Sequence, residues 1–350
     1  MNSVENTDST EPKDLELPRS RIGAATLESV AKLAGVAPAT VSRVLNHPEK
    51  VAKETRGRVN NAIAQTGYVP NLLAGGLASK RSRLIAAIVP SIVNLVYVET
   101  IESFDTRLRD YGYQVLLGAA GYSVEAEETL VTAILSRRPE AIFLTGIHHS
   151  QNCRKRLLGA GIPIVETWDM TPTPLDLLVG FSHEKLGQAV AAYLHNKGFR
   201  LFGIVSADDP RAKIRNAAFL NELQRRGVGE VMMGVVPAVS SMQRGREGMA
   251  ILLDQGFHRG AVFCSSDTLA QGAIAEAQSR GIRVPNDIAI IGFGDQNFAA
   301  YTYPALTTVR IDRNSMGRQA AEALLARLRG SLMEQVVIDV GFSIIERETA

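Results

Sequence analysis

The stretch TLESVAKLAGVAPATVSRVLN, residues 26–46, decides how this chain is read. Thr26 is a good N-cap for a short helix whose apolar residues Leu27, Val30, Ala31 and Ala34 recur at helical spacing. Gly35 follows at once, where a left-handed C-cap turn is wanted. A second helix begins near Pro38, a residue suited to the first helical turn. It is expected to bury Val41, Val44 and Leu45 and to expose Thr40, Ser42 and Arg43. Two short helices crossing steeply need a small residue at the crossing, and Ala31 supplies it. With the glycine turn and the branched Val41, the pattern is a helix-turn-helix. A bundle without a ligand would not need the exposed face of its second helix to be small, polar and cationic.

Outward from this core, a third helix is expected over about Lys53 to Thr66, packing through Val59, Ala62 and Ile63. Next comes YVPNLLAGGLASKRSR, residues 68–83, in which Pro70 stops the helix and Asn71 could cap another. Gly75 and Gly76 each cost about 1 kcal/mol relative to Ala in a helix, so this segment is a marginal helix that orders only when held. The charge pattern agrees. The chain carries 38 Lys+Arg against 36 Asp+Glu, a net of only +2, which by itself argues against a polyanion partner. Residues 19–83 alone hold eleven Lys and Arg against three Glu, a net of +8. Residues 1–18 are net −4, leaving the body at −2. A local basic excess of this kind is the electrostatic footprint of a phosphate-binding surface. The acidic tail, residues 1–20, lacks apolar periodicity and reads as disordered.

At 350 residues the chain has room for two or three domains. Its 45% hydrophobic and 21% charged residues are an ordinary soluble balance. No stretch reaches the ~18 unbroken apolar residues that a membrane span needs. The N-terminus has no basic or apolar signal region, and two cysteines, Cys153 and Cys264, cannot build a disulfide framework or a zinc site alone. A cytoplasmic, cofactor-free and metal-independent protein is therefore expected. From residue 84 apolar strands alternate with amphipathic helices, among them strands at Leu84–Val89, Ala141–Thr145, Ile164–Thr167 and Ile288–Gly292. Continuous Val/Ile/Ala strands separated by helices mean parallel sheet covered on both faces. The pattern occurs twice, with the chain passing over near residues 170–185, so the fold class is α/β: an N-terminal three-helix domain, then two doubly wound lobes. No dinucleotide or phosphate-loop glycine motif appears, nor a nucleophile elbow. His148 and His149 are adjacent and point in different directions, a poor pair for one metal ion. An enzyme is not expected. Polar residues just past the strands are the candidates for a cleft between the lobes: Ser91, His149, Glu166, Asp169, Arg215, Asp267 and Gln296. Each also has a plain reading as a cap or loop residue.

The motifs TLESVAKLAGV, ATVSRVLN, YVPN and LASKR make residues 26–83 similar to the DNA-binding headpiece and hinge of the LacI/GalR repressor family. The resemblance implies domains at 21–70 (helix-turn-helix), 71–83 (hinge helix) and 84–350 (two-lobed, periplasmic-binding-protein-like, effector-binding and dimerising). It implies double-stranded, pseudo-palindromic operator DNA as partner, bound by a homodimer, with no membrane role. The helix from Pro38 to Asn46 would lie in the major groove, and Arg43 would read a guanine edge through O6 and N7. Thr26, Thr40, Ser42, Asn46, Tyr68 and Asn71 match positions that meet phosphates, and Leu27 and Ala78 belong with them. Leu77 matches a leucine that wedges into the minor groove. Pro38 and Ala39, at the reading positions, offer apolar contact but no hydrogen bond, so the operator sequence does not carry over.

SSDTLAQGAIAEAQSRGIRVPNDIAIIGFGD and YPALTTV, residues 265–295 and 303–309, resemble the effector domain of the same family. In that alignment Arg215 and Asp267 grip the effector and Ser91 is a first-lobe contact. Ser240 stands near a place where ring binders often carry a stacking aromatic, which suits an open-chain ligand. IPIVETWDMTPTPLDLLVGFSHEKLGQA, with LTGIHHS before it, looks most like the family's gluconate-responsive branch. A sugar acid needs a cation, Arg215 or Lys213, and acceptors such as Glu166, Asp169 and Asp267. Release of DNA on binding the sugar acid is the expected outcome. A corepressor acting with the opposite sign, or a sugar-acid binder with no DNA role, are the alternatives.

Overall fold

The computed structural model describes residues 25–70, 82–331 and 335–350, which fall into two compact units dividing between residues 80 and 81. The expected tail over 1–20, most of the hinge and the site residues Asn71, Leu77 and Ala78 lie outside the described residues.

In the N-terminal unit, α1 (Leu27–Ala34), α2 (Pro38–Asn46) and α3 (Lys53–Thr66) enclose a small core of Val30, Ala31, Ala34, Val41, Val44, Val59 and Ala62. Thr26 caps α1 reciprocally with Ser29: Ser29 N–H donates to the Thr26 hydroxyl at 3.2 Å, and Thr26 N–H to the Ser29 hydroxyl at 2.9 Å. Gly35 ends the helix at φ 65°, a left-handed conformation where a Cβ is costly. That turn lets α2 leave at a steep angle while Ala31 stays buried at the crossing.

The second unit has two six-stranded sheets. The first lobe holds β1 (Leu84–Val89), β2 (Gln114–Ala119), β3 (Ala141–Thr145), β4 (Ile164–Thr167), β5 (Leu177–Gly180) and β11 (Val337–Asp339), in the order β11-β5-β4-β3-β1-β2. The second holds β6 (Phe202–Ala207), β7 (Val231–Val236), β8 (Gly260–Cys264), β9 (Ile288–Phe293), β10 (Thr307–Arg310) and β12 (Ser343–Ile345), in the order β12-β10-β9-β8-β6-β7. All pairings are parallel except β12 with β10. Central strands such as β3 and β6 are buried along their whole length, as a sheet covered on both faces requires. The first lobe carries α4 (Val98–Arg109), α5 (Val124–Leu135) and α6 (Gln151–Gly159); the second carries α7 (His183–Asn196), α8 (Pro210–Arg225), α9 (Met242–Asp254) and α10 (Asp267–Ser279).

The chain passes between lobes more often than the single passage expected near 170–185. It crosses after Phe181, crosses back to place α11 (Arg313–Leu328) against α4, and crosses a third time between β11 and β12. The segment VVIDVGFSII, which reads as one terminal strand, is therefore two three-residue strands in different sheets, separated by Gly341 at φ 66°. Hydrophobic continuity does not reveal which sheet a strand joins.

Close packing of α7 on α8 sets where α8 presents its side chains. Gly187 of α7 lies so near α8 that a Cβ there would sit 2.2 Å from the Arg215 carbonyl oxygen and 2.9 Å from the Ala218 Cβ. Gly187→Ala must push the helices apart. It should cost roughly 1–3 kcal/mol, read as a lower urea midpoint; an unchanged midpoint would show that the contact is not tight.

Candidate functional site

The face of α2 is built for contact outward. Val41 and Val44 point into the core, while Pro38, Ala39, Arg43 and Asn46 are exposed and Thr40 and Ser42 are half-buried. Asn46 Nδ2 donates to the Ser42 carbonyl at 2.9 Å and lies 3.3 Å from the Ser42 hydroxyl, pinning the two polar side chains along one edge. The Arg43 guanidinium has no hydrogen bond or ion pair among the described residues, so its planar fork is available. Ala37 supplies no side-chain cap to α2. Thr26 uses its hydroxyl as a cap, and Leu27 and Tyr68 pack partly against the unit's own core.

In the second unit a cleft opens at the strand C-termini of both lobes. Its inner pocket, about 40 Å³, is lined by Asn94, Tyr97, Tyr122, Trp168 and His183, and by Asp209, Arg211, Arg215, Ser240, Ser265, Ser266 and Phe293. A wider pocket of about 130 Å³ adjoins it, lined by Thr145, Gly146, His148, Asp169 and Glu127, with Asp209 and Arg211 shared. Trp168 sits at the end of β4 with φ 69°, an unfavourable conformation for a bulky residue, held by edge packing on Tyr97 at 5.0 Å and Phe181 at 5.9 Å.

Arg215 is only 3% exposed. One guanidinium nitrogen donates to His183 Nδ1 at 3.0 Å, another to the Ser265 carbonyl at 3.0 Å, and the plane lies 4.1 Å from the Phe293 ring centre. Its Nε is buried without a hydrogen-bond partner, and it makes no ion pair among the described residues. Burial pushes its pKa down. His183 is held well below its ordinary value by burial and by the neighbouring Arg215 and Arg211 charges. It is therefore neutral, donating through Nε2 to the Trp168 carbonyl at 2.8 Å. Arg211, one turn before Arg215, reaches across the cleft. Its Nε donates to Asp169 Oδ2 at 2.7 Å and its Nη1 to the Tyr97 hydroxyl at 3.1 Å, both in the first lobe.

Among the residues singled out from sequence, Arg215 and Asp169 meet in this cleft. Asp267 and Gln296 lie directly beneath it: Asp267 accepts from Gln296 N–H at 2.7 Å and the Thr308 hydroxyl at 2.5 Å, while Ser266, not Asp267, caps α10. Four others stand elsewhere. Glu166 is fully buried within β4, accepting from Leu175 N–H at 2.6 Å. His149 is turned inward between Glu127 and Glu166. Ser91 lines a separate, mostly apolar groove of the first lobe. Lys213 lies two residues from both arginines on α8, hence on the opposite face, with its side chain 67% exposed and paired to Asp208. Ser240 lines the pocket together with Trp168, Tyr97, Tyr122 and Phe293, so aromatic surface is present elsewhere in its wall. Arg211, Trp168 and His183 were missed. The signals present were the i, i+4 spacing of Arg211 to Arg215 and the position of the chain's single tryptophan at a strand end.

Comparison with known proteins fits this geometry. Residues 26–71 match the family described as bacterial regulatory proteins, lacI family, and residues 191–350 match a periplasmic binding protein-like domain. The chain is 37% identical over 329 residues to the HTH-type transcriptional regulator GntR of Pseudomonas aeruginosa, covering 93% of this chain and 96% of that protein. It is 32% identical over 319 residues to the regulator of the same name from Escherichia coli K12, covering 91% and 96%. Among solved structures, a LacI-family regulator from Silicibacter pomeroyi aligns with a TM-score of 0.86 at 32% identity over 93% of this chain and 99% of that one. The lac repressor dimer bound to operator and an anti-inducer aligns at 0.77 with 25% identity, covering 93% and 98%. These relatives are regulators, not enzymes.

Burial pushes Asp267 up from its usual 3.8 to about 6, against the lowering effect of its bonds from Thr308 and Gln296. The folded state thus holds this proton more tightly than the unfolded chain. The resulting stability is fully present below about pH 3.8 and is lost as pH rises through 6. The stability difference between the wild-type protein and Asp267→Asn should shift against the wild type by up to about 3 kcal/mol from pH 4 to pH 7 in urea melts. A difference that does not vary with pH would mean that Asp267 ionises normally.

Proposed function

The chain belongs to the lacI family of bacterial regulatory proteins, DNA-binding transcriptional repressors, and from that premise we propose that it holds a pseudo-palindromic operator as a homodimer and releases it when a sugar acid enters the interlobe cleft. The observation that carries the effector class is Arg215, a buried guanidinium with an unpartnered Nε and no ion pair among the described residues. Such a charge is costly unless an anion meets it. A ligand carboxylate supplies that anion, and Arg211, one helical turn away, offers a second fork. Hydroxyls of the same ligand find acceptors in Asp169 and Asp209 and partners in Asn94, Ser265 and Ser266. Gluconate, a ketogluconate or a phosphorylated derivative has this chemistry.

The inner pocket, about 40 Å³, holds a water or two, far short of the ~300 Å³ of an ordinary ligand site. A six-carbon acid therefore has to part Arg211 from Asp169 and Tyr97, which span the two lobes. Ligand binding and lobe orientation are then one equilibrium, which a coupling of a few kcal/mol can bias. In this reading the hinge residues Asn71, Leu77 and Ala78 complete the DNA contact, and the lobe orientation sets the spacing of two hinges across the dimer. An apolar groove of Val89, Ile101, Val115 and Leu117, flanked by Ile92 and Val93 at 63% and 73% exposure, supports a second copy as the partner on the first lobe.

Two measurements test this. Arg43→Ala should weaken specific operator binding by roughly 1–3 kcal/mol and leave effector affinity unchanged; an equal loss on random DNA would place the contact on phosphate. In gel-shift titrations, gluconate, its keto-acids or their phosphates should lower operator affinity of the wild-type protein, and Arg215→Met should abolish the response. Tightened binding would make the ligand a corepressor. No response to any of them would end the sugar-acid reading.

A further inference from the structure

We propose that the first lobe carries a binding site for a zinc-class divalent metal ion, with Glu127, His149 and Cys153 as ligands and Glu166 as the outer partner of the histidine. The three residues come from different elements: Glu127 from α5, His149 from the segment after β3, and Cys153 from the first turn of α6. Their ligand atoms all lie within 4.8 Å of one another. An oxygen, an imidazole nitrogen and a thiol sulfur form a donor set that suits zinc, cobalt or nickel and excludes magnesium and calcium.

The two ring nitrogens of His149 have separate surroundings. Nδ1 lies 3.0 Å from both Glu127 oxygens. Nε2 faces Glu166 Oε1 at 3.3 Å, and neither of these buried atoms has a hydrogen-bond partner. The other oxygen of Glu166 is fixed by Leu175 N–H at 2.6 Å. A histidine whose far nitrogen points at a buried, backbone-anchored carboxylate is the arrangement that orients a metal-binding imidazole. A metal at Nδ1 forces the ring proton onto Nε2, aimed at that carboxylate. Charge argues likewise, because two carboxylates converge on a single imidazole, and a dication balances them.

Glu127 also lines the wider pocket of the cleft, which provides the ion's path and an open fourth position.

The test uses full-length, metal-stripped protein with Co²⁺ as probe and no DNA or sugar acid, so its result is independent of the effector reading. One equivalent of Co²⁺ should produce a thiolate-to-cobalt charge-transfer band that Zn²⁺ abolishes and Mg²⁺ does not. Cys153→Ser should lose the band and Cys264→Ser should keep it. Glu166→Gln should weaken Zn²⁺ binding about 10–100-fold. Glu127→Gln, altering a partly exposed side chain, should weaken it at least about tenfold while circular dichroism stays native. Absence of a charge-transfer band in the wild-type protein, or Zn²⁺ affinity unchanged in folded Glu127→Gln, would overturn the proposal.

Discussion

Arg215 is buried where four segments meet: α8, the start of α7 through His183, the end of β8 through Ser265 and the end of β9 through Phe293. A cation in that place is tolerable only if its N–H groups are bonded and its charge is met. The first condition is met almost completely, leaving one nitrogen without a partner, while the second rests on no ion pair among the described residues and only on the more distant charges of Asp209 and Asp169. The surroundings are arranged around that incompleteness. His183 is kept neutral so that it can accept from the arginine, Trp168 lines the same pocket in a strained backbone conformation, and Gly187 lets α7 approach α8 closely enough to fix the helix that carries the arginine.

Arg211 gives the same helix a second task. Because it bonds Asp169 and Tyr97 of the opposite lobe, the end of α8 both lines the cleft and ties its walls together. The three chain crossings after Phe181, before α11 and between β11 and β12 are short connections of the sort that absorb rigid-body motion. A site that is both ligand pocket and interlobe tie needs no separate transmission path.

The helix-turn-helix was legible because every signal in it is local. The Thr26 cap, the Gly35 turn and the spacing of Val41 and Val44 all act within a few residues and appear where the pattern places them. Most strands of both lobes were legible for a related reason, since burial on both faces leaves continuous apolar runs; the terminal pair, partly exposed, was not. Less could be read of the cleft. Position past a strand end identifies Arg215 and Asp169, yet the same rule nominates Glu166, His149 and Ser91, and the need for a cation nominates Lys213, which the fold turns inward or to another face. Glu127, His149 and Cys153 stand on three elements with no motif spacing between them, so only the packing of α5 and α6 on the first sheet could bring their ligand atoms together.

Sequence alone determined the domain types, the division of charge between a basic headpiece and a slightly acidic body, and the outward face of α2. These properties follow from composition and from interactions along one helix or strand. Tertiary structure decided which polar side chains share a cavity, which lobe each terminal strand joins, and that Arg215 lies buried in the cleft with no ion pair among the described residues. Such facts depend on contacts between residues far apart in the chain, where the direction of a side chain is set by the neighbours that pack around it rather than by its place in the sequence.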